Sequence, residues 1–536
     1  MPYRNVLACI SLLTLRLLAA ATLATARATG PQTTAFVGPG VGPAGSGRVS
    51  RAFARDSEPT PIRRGERPAG LASSAPVTEG EATAAPSKTR RAKTKTRITS
   101  LGDMDSLLEG GTSMLTMDVR GDSYEELTGR TDLHPVIEVL KARKSSGSKP
   151  GERKDDFKVG LAIEGGGMRG CVSAGMIASI VSLGLMDCFD GVYGSSAGSL
   201  VGTYAIAGQQ GMPRLGCSVY YDTLTGSGRH FIDTRYLLRA LGLGLVGTLF
   251  TRVDGLKELV LEKYGSPVLK LEYLLGDVVE NLRPLDWDLF WKKQAKQPLH
   301  VIASGVNSGR SVSLTSRGGH FSSLRELTSC IRASMLLPGI TGPMMKLPNV
   351  EEPLVDSQLY EPIPFRTALA DGCTHVVVLR TRPDGANVVG RPKLAERLIV
   401  RRFFKRKNKL PGAYYYMKRG GHKLLYARDV LTLNQGARAA PRDVGPHLLP
   451  ISLKPGEAEI ARLERRREGI LEGVRKGFEH GHDILKRVVP GDALAGLAGR
   501  EAAVQVFPES ILDAEEDPIM AELGLSSLGA SDGSGD

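Results

Sequence analysis

Phe189-Asp190-Gly191-Val192-Tyr193 runs into Gly194-Ser195-Ser196-Ala197-Gly198, and a stretch of helical length follows from Ser199 to about Ala207. A short apolar run, a G-x-S-x-G turn and a helix together describe a nucleophile elbow. The tight turn holds a serine hydroxyl clear of the chain, and small neighbours let the helix approach the strand. Ser196 is then the candidate nucleophile, with Gly194, Ser195, Ala197 and Gly198 forming the elbow around it. Taken alone, G-x-S-x-G is also a common glycine turn with an incidental serine, so the surrounding sequence has to decide.

One strand and one helix earlier stands a second glycine turn. Val159-Gly160-Leu161-Ala162-Ile163 is almost wholly apolar, as a strand buried on both faces must be. Gly165-Gly166-Gly167-Met168-Arg169-Gly170 follows, and then an apolar stretch to Leu185. Strand, glycine turn and helix aim backbone N–H groups and the positive end of the helix dipole at an anion. The cluster also fits G-x-G-x-x-G, but a dinucleotide site needs an acidic residue at the end of the next strand. Asp187 and Asp190 precede the next apolar run instead of ending it. Two anion-cradling turns on adjacent strand–helix junctions suit acyl transfer better. One supplies the attacking oxygen, and the other, Gly165 to Gly170, supplies the oxyanion donors.

A serine nucleophile needs a base, which in α/β-hydrolases is a histidine late in the chain. The nine histidines (His134, His230, His300, His320, His375, His422, His447, His480, His482) include none in a distinctive catalytic context, although His422 and His447 come late enough. Leu354-Val355-Asp356-Ser357-Gln358 places an acidic residue between a short apolar run and a turn, where Asp is most often only a turn residue.

Taken together, these segments resemble the patatin-like phospholipase family. Its pattern of a D/E-G-G-G-x-R-G loop, G-x-S-x-G and a later D-G-G or D-G-A appears as Glu164 to Gly170, Gly194 to Gly198, and Asp356 to Gln358. Arg332-Ala333-Ser334-Met335-Leu336-Leu337-Pro338 matches a supporting block of the family. The resemblance covers about Lys158 to Arg382 and extends faintly to about Phe478. It implies an α/β fold, a three-layer α/β/α sandwich with a mostly parallel central sheet. It also implies a Ser196–Asp356 catalytic dyad without histidine, an oxyanion loop braced by Arg169 with donors at Gly166, Gly167 and Met168, and hydrolysis of lipid esters through an acyl-serine with no cofactor and no metal. Ser357 and Gln358 depart from the pattern, because glycine after the Asp permits backbone angles that other residues reach less easily. Two further readings stay open: a Ser–His–Asp esterase, and a lipid-binding relative with weak catalysis.

Arg401 to Lys423 mixes basic residues with Phe403-Phe404 and Tyr414-Tyr415-Tyr416. Arg401, Arg402, Phe403, Phe404, Lys405, Arg406 and Lys407 are expected to dock on an anionic membrane, the charges attracting and the rings inserting. The alternative is a solvated basic loop with its aromatics in the core. Ala458 to Lys486 carries apolar residues at helical spacing among dense charge, as a surface helix packed on the catalytic domain does.

The expected organisation is a signal-like segment over 1–30, a transit-like disordered linker over 31–157, a catalytic core over 158–382, a C-terminal extension packed on it over 383–490, and a tail over 491–536. Residues 1–55 hold six Arg and no acidic residue, with an apolar run ending at Ala24-Thr25-Ala26. A Pro-, Ala-, Ser- and Thr-rich stretch follows. A signal followed by a transit segment, with Phe36 near the cut, resembles the two-part plastid address of algae with secondary plastids; simple transit or secretion are the alternatives. The formal net charge of +13 favours anionic partners. No aromatic residues interleave with the basic run of the linker, so nucleic acid is not an expected partner. Six scattered cysteines without a CxxC pair read as reduced, buried thiols.

Overall fold

The computed structural model describes residues 95–209, 216–240, 267–390 and 392–512, all within the compact unit Thr89–Asp536. The targeting segment, residues 31–94 of the linker, and residues 513–536 lie outside the described residues.

Seven strands make the central sheet: β3 (Val159–Ile163), β4 (Gly191–Ser195), β5 (Leu299–Gly305), β6 (Arg310–Leu314), β7 (Leu354–Val355), β8 (His375–Leu379) and β9 (His447–Ile451). Their order is β6-β5-β4-β3-β8-β9, with β7 on β5. The four pairings from β5 to β9 are parallel, and only β6 and β7 run antiparallel to β5. Apart from it, β1 (Thr96–Ile98) and β2 (Met117–Val119) form a small parallel pair.

A parallel sheet covered on both faces needs apolar residues at both parities of each strand. In β3, Val159, Leu161 and Ile163 enter one core, and Ala162 enters the other with Tyr193, Val376 and Val378. The helices of the described residues include α1 (Leu101–Glu109), α2 (Pro135–Ser146), α3 (Gly170–Ser182), α4 (Ala197–Ile206), α5 (Leu324–Met335), α6 (Leu394–Val400), α7 (Pro411–Lys418), α8 (Gly421–Ala437), α9 (Arg467–Leu485) and α10 (Gly499–Val506). Buried residues of α3, α4, α5 and α9 fill the first core, and those of α8 fill the second. The result is the expected α/β/α sandwich with a mostly parallel sheet.

Three boundaries differ from the sequence reading. Residues 95–157 are not a disordered linker, since they contain β1, α1, β2 and α2. Val136 and Leu140 are fully buried, and the buried guanidinium of Arg143 pairs with Asp155 and Asp190, each at 2.7 Å. The buried apolar residues of this segment are spread through a charged stretch whose average composition hid them. The catalytic core also extends past residue 382, because β9 pairs along the whole of β8. Nor is α9 a surface helix. Its Ile470, Leu471, Val474 and Phe478 are buried, and it crosses α3 backbone to backbone.

That crossing depends on glycine. A Cβ on Gly477 would stand 1.9 Å from the Val172 carbonyl oxygen, and one on Gly175 would stand 1.9 Å from that of Val474. Alanine at a helix interior returns about 1 kcal/mol of propensity over glycine, but forcing two packed helices apart costs about 3 kcal/mol. Gly477→Ala is therefore expected to destabilise the fold, read as a lowered midpoint of thermal or urea unfolding. An unchanged midpoint would mean that α9 is not held this closely. The five described cysteines are buried, and Cys9 lies outside the described residues.

Candidate active site

Ser196 sits between the end of β4 and the start of α4 with φ 51° and ψ −121°. A non-glycine residue at positive φ costs of order 1–3 kcal/mol and persists only where its surroundings fix it. Here they do. The Ser196 N–H donates to Ser334 Oγ at 2.7 Å, the Ser195 hydroxyl donates to the Glu361 carbonyl at 2.7 Å, and the Ser199 hydroxyl donates to the Ser196 carbonyl at 2.6 Å. The elbow glycines are required by close approach. A Cβ on Gly194 would lie 2.4 Å from Ser199 Cα, and one on Gly198 would lie 2.3 Å from the Ile163 carbonyl oxygen. Ala197 opens α4 and is buried.

The Ser196 hydroxyl lies 3.3 Å from Asp356 Oδ2. Asp356 follows β7 and is buried. Its backbone N–H donates to the Leu336 carbonyl at 2.8 Å, and its Oδ1 accepts the Gln358 N–H at 2.8 Å. Burial pushes this carboxyl up to about 6, although the Gln358 N–H, the Arg462 charge and the Ser196 hydroxyl all pull it down. Each of the nine histidines makes its polar or ring contacts elsewhere. His422 meets Glu396, for example, and His447 lies against the His375 ring.

The second glycine turn lies against the elbow. A Cβ on Gly165 would be 2.5 Å from the Ser195 carbonyl and 2.8 Å from Ser196 Cβ. Several of its amides are already engaged elsewhere. The Gly165 N–H donates to the Pro362 carbonyl at 3.3 Å, and that of Met168 donates to the Arg462 carbonyl at 3.2 Å. The Gly170 N–H bonds back to the Gly167 carbonyl. Met168, expected as an oxyanion donor, is therefore engaged by a segment that the sequence reading did not connect with this loop. The amides of Gly166 and Gly167 have no acceptor among the described residues, as befits the first N–H groups of a helical turn. Arg169 is buried; its Nε donates to Thr381 Oγ1 at 3.0 Å and its guanidinium pairs with Glu459.

Four residues around the site were given no role of their own from the sequence. Ser334 fixes the Ser196 amide, and the only hint of it was its place in the Ala333-Ser334 block. Glu164 anchors the loop, accepting from Thr381 at 2.5 and 3.0 Å and from the Tyr426 hydroxyl at 2.8 Å. Glu459 and Arg462 belong to the irregular segment between β9 and α9. The Arg462 guanidinium donates to Gln358 Oε1 at 2.9 Å across 104 residues of sequence, a contact that no local pattern announces.

Two expectations need correction. The altered turn after Asp356 carries no left-handed residue. Ser357 and Gln358 begin a 3₁₀ turn, and the only non-glycine residues at positive φ among those described are Ser196 and Lys409. Glycine is thus not required there. Ser357 is buried, and its Oγ has no hydrogen-bond partner among the described residues. Ser357→Gly is expected to leave esterase activity within about twofold and to lower stability by roughly 1 kcal/mol through added chain entropy. Steady-state rates and unfolding midpoints check this, and a large rate loss would assign Ser357 a role of its own. The second correction concerns Phe403 and Phe404, which are not available to a bilayer. They are 6% and 1% exposed and pack with Val355, Leu359, Tyr414 and Met417 in a third core. Of their neighbours, Arg401, Lys405 and Arg406 are exposed, while Arg402 and Lys407 are half-buried. Among the described residues no cluster of three His, Cys, Asp or Glu is arranged to hold a metal ion.

Among solved structures the chain is similar to VipD from Legionella pneumophila, at 12% identity and a TM-score of 0.28, over 69% of this chain and 77% of that one. It is also similar to human GIVD cytosolic phospholipase A2 in complex with methyl gamma-linolenyl fluorophosphonate, at 12% identity and a TM-score of 0.29, over 75% of this chain and 63% of that one. Neither likeness is close enough to carry an argument. No curated protein matches the chain. The family model described as patatin-like phospholipase matches residues 161–369, a span that holds the glycine loop, Ser196 and Asp356. Over those residues the chain is similar to patatin-like phospholipases.

Proposed function

We propose that this chain hydrolyses carboxylic esters of lipids, with Ser196 as nucleophile and Asp356 as its base. The observation that carries the reading is the 3.3 Å contact between the Ser196 hydroxyl, held out on the elbow, and the buried Asp356 carboxylate. Asp356 Oδ2 takes the hydroxyl proton as Ser196 Oγ attacks the acyl carbon. The Gly166 and Gly167 amides face the charge that develops on the carbonyl oxygen. Asp356 then returns the proton to the departing alcohol, leaving an acyl-serine. Water, deprotonated by the same carboxylate, releases the fatty acid and restores Ser196.

A carboxylate can serve as this base because its environment is dry. A carboxyl at about 6 is ionised at neutral pH yet more basic than an ordinary aspartate. The histidine-dependent alternative lacks a candidate within hydrogen-bond reach of Ser196 among the described residues. The reading is tested by incubating the protein with phospholipid, galactolipid and triacylglycerol vesicles and with a soluble short-chain ester. Release of fatty acid is the expected result. Binding of lipid without release of fatty acid from any substrate would replace this reading with a lipid-binding role.

A further inference from the structure

We propose that the outer face of α6 and the helical segment Arg401–Lys407 that follows it form a docking surface for an anionic lipid bilayer, with Leu394, Leu398 and Tyr415 as the side chains that enter it. The proposal rests on the lipid-ester reading for its purpose and deepens it by naming the surface on which the substrate is met. It differs from the expectation drawn from the sequence, in which Phe403 and Phe404 were to insert.

Three observations carry it. Leu394, Arg397, Leu398 and Arg401 recur at i, i+3, i+4 and i+7, which places them on one face of a helix, and all four are exposed. Leu394 is 70% and Leu398 36% exposed, and Tyr415 on α7 is 48% exposed. Single exposed leucines are ordinary, but two on one helical face, interleaved with arginines, have the composition of an interfacial helix. The second observation is charge. Residues 391–428 contain thirteen Lys and Arg and one acidic residue, Glu396, which is already engaged by His422 at 3.1 Å and Lys423 at 3.4 Å. No exposed carboxylate in this segment opposes an anionic surface. The third is the opposite side of the same element. Val400, Phe403 and Phe404 pack with Val355 and Leu359, the residues on either side of the Asp356 turn. The docking face is thereby braced directly on the wall of the candidate active site.

The chemistry favours a lipid surface over a nucleic acid. Exposed leucines gain from an acyl phase and gain nothing from a phosphate backbone. Tyr415 has Lys418 Nζ 5.9 Å from its ring centre, an aromatic–cation pair suited to the headgroup level.

The test is flotation of the full chain with vesicles of phosphatidylcholine alone and with added phosphatidylglycerol, across a salt series. Binding to the anionic vesicles should weaken as salt rises. The triple variant Arg397→Gln, Arg401→Gln, Lys405→Gln should bind them on the order of a hundredfold more weakly. Leu394→Ser with Leu398→Ser should bind about tenfold more weakly with the same salt dependence, since the lost contribution is apolar. Hydrolysis of a soluble ester should be unchanged in both variants. As a local readout, amide hydrogen exchange over 394–407 should slow when anionic vesicles are added. Unaltered exchange there, equal binding of all variants, or displacement of vesicles by RNA at matched charge would each overturn the proposal. Vesicle binding needs no catalysis, so this failure is separable from failure of the hydrolase reading.

Discussion

Replacing Ser196 with alanine is expected to lower ester hydrolysis by on the order of a million-fold, to the level left by binding and oxyanion donors alone, because no other oxygen can take over the attack. A fluorophosphonate probe should label the native protein at Ser196 and leave the Ser196→Ala variant unlabelled, as mass spectrometry of the adduct would show. The fold should survive the change. The strained backbone at Ser196 is imposed by Ser334, Glu361 and the start of α4, none of which bonds to the Ser196 hydroxyl. Loss of stability should stay within about 1 kcal/mol, the net worth of one hydrogen bond. The decisive comparison is between labelling and unfolding. A folded Ser196→Ala protein that still hydrolyses ester, or still takes the probe, would place the nucleophile elsewhere.

Legibility in the sequence followed the range of the interactions. The elbow and the glycine loop were readable because their demands are local: Gly194 and Gly198 are fixed by atoms within a few residues or on the adjacent strand. The fold class followed from the same segments, since Val159–Ile163 is apolar at both parities. Asp356 could be named only through family resemblance, because an acidic residue before a turn has many ordinary explanations. Arg462 and Glu459 were invisible, as their partners Gln358, Arg169 and Arg382 lie far off in sequence. The aromatic–basic segment misled for a different reason. Composition distinguishes apolar from charged residues but not the inner side of a helix from the outer one, so Phe403 and Phe404 were assigned an inserting role although they lie in the third core. The ordered residues 95–157 were missed because their buried apolar anchors, such as Ile98, Met104, Val119, Val136 and Leu140, are dispersed among charged and polar residues.

Exchanging Asp356 for asparagine is expected to abolish measurable turnover and, at the same time, to stabilise the protein at neutral pH. An amide oxygen cannot accept the serine proton, so the loss should span several orders of magnitude. The gain in stability follows from the carboxyl being raised from 3.8 to about 6 by burial. A group whose folded value is raised contributes stability that is fully present below about pH 4 and is lost as pH rises through about 6. At pH 7 the native protein therefore carries an ionised, buried carboxylate at a cost of about 3 kcal/mol. Asparagine removes that cost and keeps an Oδ1 for the Gln358 N–H. The advantage of Asp356→Asn over the native chain should thus be largest at pH 7, shrink as pH falls through 6 and vanish near 4, as unfolding midpoints across pH would show. The same ionisation sets the rate profile. kcat/KM of the native enzyme should fall tenfold for each pH step below about 6, and Arg462→Gln should move that limb upward, since the Arg462 charge favours the ionised carboxylate. An acid limb at the ordinary aspartate value would contradict the dry environment inferred for Asp356. If instead His422 or His447 proved as indispensable as Ser196 while Asp356→Asn kept its activity, a histidine would be the base.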